Sequence, residues 1–158
     1  MTYYTSYFYN IRFFTPNMIP FSTAVWDPKW YHDNKDKNYT FLDKNGVLNG
    51  LRIKELRPRK ECENLCRGPE NCVACKGDSK TCDFLRTYSQ QLELIDYDKF
   101  EEYFFRVSRE IKRKMGFMEE PVIVFIVHES PDNPCSEREA ILDVLPRHGI
   151  TISEWVRN

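Results

Sequence analysis

Apolar and polar residues form blocks that predict a strand, a helix and a second strand near the end of the chain. The segment Pro121-Val-Ile-Val-Phe-Ile-Val127 is a continuous apolar run, bounded by the proline and by polar residues. Strands that are buried on both faces, as in a parallel sheet covered by helices, show such unbroken runs. Residues 150–155 have another strand pattern, and a helical pattern lies between the two. This order predicts a right-handed βαβ crossover.

Two more strands are predicted near the start of the chain. Residues 3–14 are rich in Tyr, Phe, Thr and Ile, which are strand-forming types. Pro16 and Pro20 bracket a turn, because proline fixes the backbone and interrupts regular elements. Residues 21–26 then have the pattern of a second, short strand.

Three segments have apolar residues at intervals of three and four, which is the spacing of a helix with one buried face. The first spans residues 84–95. The second follows Asp98 and Glu101, whose spacing has a capping-box pattern, and the third follows Ser136 and Glu139, which form a capping box. Helices that alternate with strands predict an α/β fold, here a small three-layer domain with a mainly parallel sheet flanked by helices.

Composition and charge narrow the class of protein. A length of 158 residues suits one domain, so residues 1–158 are expected to form a single α/β domain. With 15% aromatic residues and a formal net charge of −1, the chain lacks both the composition of a disordered protein and the basic surplus of a protein that coats nucleic acid. No apolar stretch is long enough to span a membrane and no signal-peptide pattern is apparent, so we expect a cytoplasmic protein.

A cluster of cysteines predicts a metal site. Five of the six cysteines lie close together in the sequence, at Cys62, Cys66, Cys72, Cys75 and Cys82. In a reducing cytosol, clustered cysteines bind metal more often than they form disulfides. Two cysteine pairs supply the four thiolates of a tetrahedral zinc site. Residues 58–82 are therefore predicted to be a cysteine-rich metal-binding insertion, which would be structural in role.

The five cysteines compete for four ligand positions. Our first choice is Cys62, Cys66, Cys72 and Cys75, because they form two pairs. In the alternative, Cys82 replaces Cys72 or Cys75, since the N-terminus of the following helix stabilises a thiolate. Zinc is favoured over an iron–sulfur cluster because paired cysteines with a following glycine suit one small ion. Reduced or disulfide-bonded cysteines without a metal are the remaining alternative.

Candidate ligand-binding residues lie where the predicted strands end. In open parallel sheets, ligands bind beyond the carboxyl ends of the strands. This edge includes the loop 128–135 and the start of the last helix, with residues 26–31 as the opposite wall. The N–H groups that follow Ser136 form an anion site, Arg138 adds a forked donor and Lys29 adds a cation. These residues predict a site for a small anion or a nucleotide.

Three side chains at the same edge are candidates for catalysis. Cys135 stands one residue before the predicted N-cap, where the helix field favours a thiolate nucleophile. His128 and Glu129 are candidates for a base and the residue that orients it, if the loop folds back. These candidates also have structural interpretations: Cys135 as a small buried residue, His128 as a hydrogen-bonded residue, and Arg138 as the partner of Asp132 or Glu129 in a surface ion pair.

Several short motifs occur in an order that resembles a known family. The segments Tyr4-Thr-Ser-Tyr-Phe8 and Ser22-Thr-Ala-Val-Trp-Asp-Pro-Lys-Trp-Tyr31, then a buried strand, His128-Glu and Cys135-Ser-Glu-Arg138, resemble the domain-of-unknown-function family numbered 488. Members of that family have a cysteine at the position of His128, and Cys-His-Arg where this chain has Cys-Ser-Glu-Arg. The resemblance covers residues 3–31 and 121–155 and implies a compact α/β domain with a parallel sheet. It implies that the cysteine cluster is an insertion and names no reaction.

Three functions follow from these features. The first is binding of a phosphorylated or nucleotide-like anion at the start of the last helix, with hydrolase or transferase activity through Cys135. The second is nucleic-acid binding by the basic segment 52–60 together with the cysteine pairs. The third is a non-catalytic module that docks a protein partner, which the aromatic content favours weakly. The first is the leading hypothesis.

Overall fold

A sheet of parallel strands forms the centre of the molecule. The computed structural model describes residues 1–32, 40–63 and 78–158. Within these ranges the strands are β1 (Thr2–Tyr7), β2 (Met18–Ser22), β3 (Phe41–Leu42), β4 (Leu48–Asn49), β5 (Val122–Val127) and β6 (Ile152–Glu154). Four of them form one parallel sheet in the order β2-β5-β1-β6, and β3 and β4 form a separate antiparallel pair.

The α-helices cover one face of this sheet. They are α1 (Lys60–Glu63), α2 (Asp83–Glu93), α3 (Tyr97–Met115) and α4 (Glu137–Arg147). Side chains of α2, α3 and α4 share a core with Phe21, Ile123 and Phe125. The opposite face packs against a 3₁₀ helix, Phe8–Phe13, and the buried Tyr31. The predicted α/β class and mainly parallel sheet flanked by helices are confirmed.

The prediction for residues 3–14 was only partly right. The strand ends at Tyr7, and the chain continues as the 3₁₀ helix Phe8–Phe13. A 3₁₀ helix repeats every three residues, so Phe8 and Ile11 point to the same side. Both side chains are buried against the sheet. The aromatic residues that suggested a long strand instead cover the sheet face that the α-helices leave open.

The second strand lies further back in the sequence than predicted. It spans Met18–Ser22 and contains Pro20, whereas residues 21–26 were expected. β2 is at the edge of the sheet, and the missing N–H of a proline is tolerated on an edge strand. The strand of residues 150–155 is likewise shorter, at Ile152–Glu154.

The predicted N-cap residue is correct for α4 and wrong for α3. The Ser136 hydroxyl caps α4 as predicted, accepting a hydrogen bond from the backbone N–H of Arg138 at 3.2 Å. For α3 the cap is Asp96 and not Asp98, because the Asp96 carboxylate accepts from the N–H of Lys99 at 3.2 Å. Asp98 lies in the first turn, where a negative charge still favours the helix.

Candidate ligand-binding site

The loops after β2 and β5 meet at the carboxyl edge of the sheet. The imidazole Nε2 of His128 donates to the backbone carbonyl of Trp26. The ring of Phe8 packs against the His128 ring, with centroids 5.0 Å apart, and against Trp30 at 6.1 Å. His128 therefore connects the loop after β5 to residues 26–31, the two segments that the sequence predicted to face each other. Its ring nitrogen Nε2 is engaged in this hydrogen bond.

Arg138 connects the loop after β5 to β6. Its Nε donates to Glu154 Oε2 at 2.7 Å, and Nη2 and Nη1 donate to the carbonyls of Glu129 and Ser130 at 2.7 and 3.1 Å. Only 2% of Arg138 is exposed. The role expected for this residue was anion binding, and the structure places its guanidinium among protein acceptors instead.

The first turn of α4 is likewise occupied by side chains of the protein. Besides capping the helix, Ser136 donates to Glu129 Oε2 at 3.0 Å and is itself fully buried. Glu137 is also buried, next to Glu129 and within hydrogen-bonding reach of Thr23. Burial, followed by the charge of Glu129, raises the pKa of the Glu137 carboxyl to about 8. The start of α4 thus carries a buried carboxyl whose ionisation is disfavoured.

Cys135, the candidate nucleophile, is packed inside the protein. It is 7% exposed, and its backbone N–H donates to Asn133 Oδ1 at 2.9 Å. A cysteine buried to this degree has the environment of a structural residue, since reactive thiolates are accessible to their substrates. The position of Cys135 near the start of α4 still supports a role as nucleophile, but its burial does not.

Two tryptophans and a lysine form the exposed part of this edge. Trp26 is 79% exposed and Trp30 is 50% exposed. Lys29 lies between them in sequence, at the start of a short 3₁₀ helix, and is exposed. Among the described residues, no carboxylate lies within ion-pair distance of its ammonium group. The sequence identified this segment as a wall of the site, but the exposure of the tryptophans required the fold.

Charged partners around the buried carboxylate of Asp27 hold this segment in place. The side chain of Asp27 is 1% exposed; its Oδ2 lies 2.6 Å from Arg52 Nε and 2.7 Å from His32 Nε2. The Ser22 hydroxyl donates to the other carboxylate oxygen. Asp27 and Arg52 are 25 positions apart in the chain, and no local motif connects them. Sequence reasoning missed this contact and treated Arg52 as part of a phosphate-binding segment.

Two of the five clustered cysteines fall within the described residues. Cys62 and Cys82 are 1% and 2% exposed and belong to the same hydrophobic core. Cys82 is the N-cap residue of α2, as the alternative ligand set supposed. Cys66, Cys72 and Cys75 lie outside the described ranges, and within those ranges no group of three or more potential ligands is found.

Comparison with family models, with curated proteins and with solved structures gives no match to this chain. In the part of the chain that the structure describes, no helix has the length and apolar character needed to cross a bilayer. The function must therefore be argued from the geometry of the residues described above.

Proposed function

We propose that this protein binds a nucleotide-like organic anion at the carboxyl edge of its sheet, through Trp26, Lys29 and Trp30. The observation that carries the proposal is the pair of exposed tryptophans on either side of an exposed lysine. The position also agrees with the general rule that open parallel sheets bind ligands beyond the carboxyl ends of their strands.

The tryptophans offer a surface on which a base can stack. Stacking of a nucleobase on an aromatic side chain contributes about 1–3 kcal/mol per base. The backbone of Trp26 is fixed by the contact of its carbonyl with His128, while the ring stays 79% exposed. Trp30 is held edge-on by Phe8, with an interplanar angle of 88°. Both rings are thus attached to an ordered segment, which reduces the entropy lost when a ligand binds.

Lys29 supplies the positive charge for a phosphate group. The nearest acidic neighbour in sequence, Asp27, is bound by Arg52 and by His32. Its charge is therefore already compensated, and it does not compete with a ligand for the lysine. Arg138 and Ser136 bind Glu154 and Glu129 instead of facing solvent, so we assign the ligand's anion to Lys29 alone.

The geometry supports the nucleic-acid alternative less well. In the basic segment 52–60, Ile53 and Leu56 are buried, and Arg52 is paired with Asp27. The pairing of Arg52 leaves the segment one cation fewer with which to neutralise a phosphate backbone.

A titration with adenosine 5′-monophosphate tests the proposed function through quenching of tryptophan fluorescence. We expect saturable binding that weakens by about tenfold in Trp26→Ala and in Lys29→Ala, because each removes one stacking or charged contact. Lys44→Ala removes another exposed lysine, outside this segment, and serves as the control. The absence of saturable binding, or equal affinities for all four proteins, would contradict the proposal.

We also propose that the cysteine cluster binds zinc as a structural ion and that the chain is a divergent relative of the family named above. Cys62 and Cys82 suit such a site because both thiols are buried, as in closed structural zinc sites. Cys62 lies in the short helix α1 and Cys82 at the start of α2, so the two helices bring the ends of the cysteine segment into one core.

A further inference from the structure

We propose a second binding site in a cavity between the segment that follows β4 and the helices α2 and α3. It is distinct from the tryptophan edge, by which we mean Trp26, Lys29 and Trp30. The ligand is a small organic anion with an apolar, preferably aromatic, body. This inference does not depend on the proposed function, because the two sites have different contact residues.

The cavity has a volume of about 530 Å³, which is within the range of small-molecule sites. Its described lining residues come from two parts of the chain: Arg52, Ile53, Lys54, Glu55 and Arg59 on one side, and Gln91, Leu94, Ile95, Asp96, Lys99, Phe100 and Tyr103 on the other. The second group surrounds the α2–α3 junction.

One wall of the cavity is held in place by Gln91. This side chain is 7% exposed, and its Nε2 donates to the carbonyls of Arg57 and Glu55 at 2.7 and 3.3 Å. Its Oε1 accepts from the backbone N–H of Arg59 at 2.9 Å. A single buried amide therefore fixes the backbone of the segment that carries the cations, so the site is ordered before a ligand arrives.

The base of the cavity is apolar and its rim is charged. Ile53 and Phe100 are 4% and 5% exposed, so their visible surface is part of a packed core. Leu94, by contrast, is 75% exposed at the rim. An apolar ligand body that contacts these residues would remove hydrophobic surface from water, which favours binding.

The charges at the rim favour an anion. Lys54 and Arg59 have no carboxylate within ion-pair distance among the described residues, whereas Arg52 is bound to Asp27. The two lining acids are each close to another lining group. Asp96 Oδ2 lies 3.9 Å from Lys99 Nζ, and burial together with the charge of Glu55 raises the pKa of Tyr103. Among the described residues, the two cations are therefore left for a carboxylate, sulfonate or phosphate group.

The fluorescent probe 8-anilinonaphthalene-1-sulfonate tests this site, because it combines an anionic group with an aromatic body. We expect a saturable binding component that weakens at least tenfold in the double variant Lys54→Ala/Arg59→Ala. Both side chains are exposed, so the variant is expected to fold. Arg57→Ala is the matched control, since it removes an exposed cation of the same segment that does not line the cavity.

Trp26→Ala separates this inference from the proposed function. The cavity site predicts that this variant keeps, with native affinity, the binding component that Lys54→Ala/Arg59→Ala weakens. Unchanged affinity in the double variant, an equal loss in Arg57→Ala, or a loss in Trp26→Ala as large as that in the double variant would each overturn the cavity site.

Discussion

Glu137 is a buried acid whose ionisation opposes folding. Its pKa is raised from 4.5 to about 8 in the folded protein, first by burial and then by the charge of Glu129. Below pH 4.5 the carboxyl is neutral in both the folded and the unfolded state. As the pH rises from 4.5 to about 8, the unfolded state loses its proton first, so the free energy of unfolding falls.

We therefore predict that Glu137→Gln reduces this loss of stability with rising pH. One pKa unit corresponds to about 1.4 kcal/mol, so the effect is measurable in urea denaturation at about pH 5 and about pH 9. Glu139→Gln, on the same turn but exposed, is the control and should keep the native pH dependence. Identical pH profiles for the native protein and Glu137→Gln would show that the buried carboxyl does not hold a proton.

Arg138 is predicted to stabilise the fold and not to bind the ligand. In Arg138→Met, Glu154 keeps the Thr5 hydroxyl as a donor but loses its charged partner, and two backbone carbonyls lose their arginine donor, which should cost about 3 kcal/mol of unfolding free energy. Arg147→Met removes an arginine whose side chain is 55% exposed and should cost under about 1 kcal/mol. Denaturation measures both losses. If Arg138→Met kept native stability but no longer bound adenosine 5′-monophosphate, this assignment would be contradicted.

Among the helices and strands, the sequence predicted best those whose pattern of apolar residues is set by burial on one or both faces. The run that became β5 was found almost to the residue, since a strand covered on both faces needs apolar residues throughout. The cap of α4 was found as well, because Ser136 and Glu139 form a local motif.

The misplaced elements depend on neighbours that are distant in the sequence. β2 includes Pro20 because it is an edge strand, and its place at the edge is known only from the sheet order. The 3₁₀ helix Phe8–Phe13 forms where aromatic side chains must cover a sheet face. Local strand propensity predicts neither the edge position of β2 nor the covering 3₁₀ helix, since both arise from tertiary packing.

Gln91 is predicted to order the segment that precedes α1. In Gln91→Ala the N–H of Arg59 and the carbonyls of Glu55 and Arg57 lose their partner, so the segment should open more often. We expect a loss of about 1–3 kcal/mol and faster hydrogen exchange at the Arg59 amide. Gln90→Ala, on the exposed side of the same helix, is the control. Unchanged exchange at Arg59 in Gln91→Ala would argue against the role of this side chain.

At the scale of the whole molecule, the candidate site was only partly predictable. The sequence predicted a site at the edge where parallel strands end, because the βαβ order fixes that edge, and the structure brings the loops after β2 and β5 together there. It did not reveal that Arg138 is buried against Glu154, or that Arg52 pairs with Asp27. Both pairs join distant positions, so only the folded chain shows which cations are left for a ligand.

Zinc is predicted to stabilise the whole domain. Metal analysis of the purified protein should find one zinc per chain, and Cys62→Ser should lose it and unfold at a lower temperature. Cys82→Ser should retain zinc if Cys62, Cys66, Cys72 and Cys75 are the ligands, and should lose it if Cys82 replaces one of them. Cys135→Ser is the control. Protein that contains neither zinc nor iron would contradict the metal site.

Nuclear Overhauser effects in the complex with adenosine 5′-monophosphate show whether an anionic ligand stacks on Trp26 and Trp30. We expect intermolecular effects between the adenine protons H2 or H8 and the indole protons of Trp26. A saturated complex in which the adenine contacts other parts of the protein, and neither Trp26 nor Trp30, would contradict it.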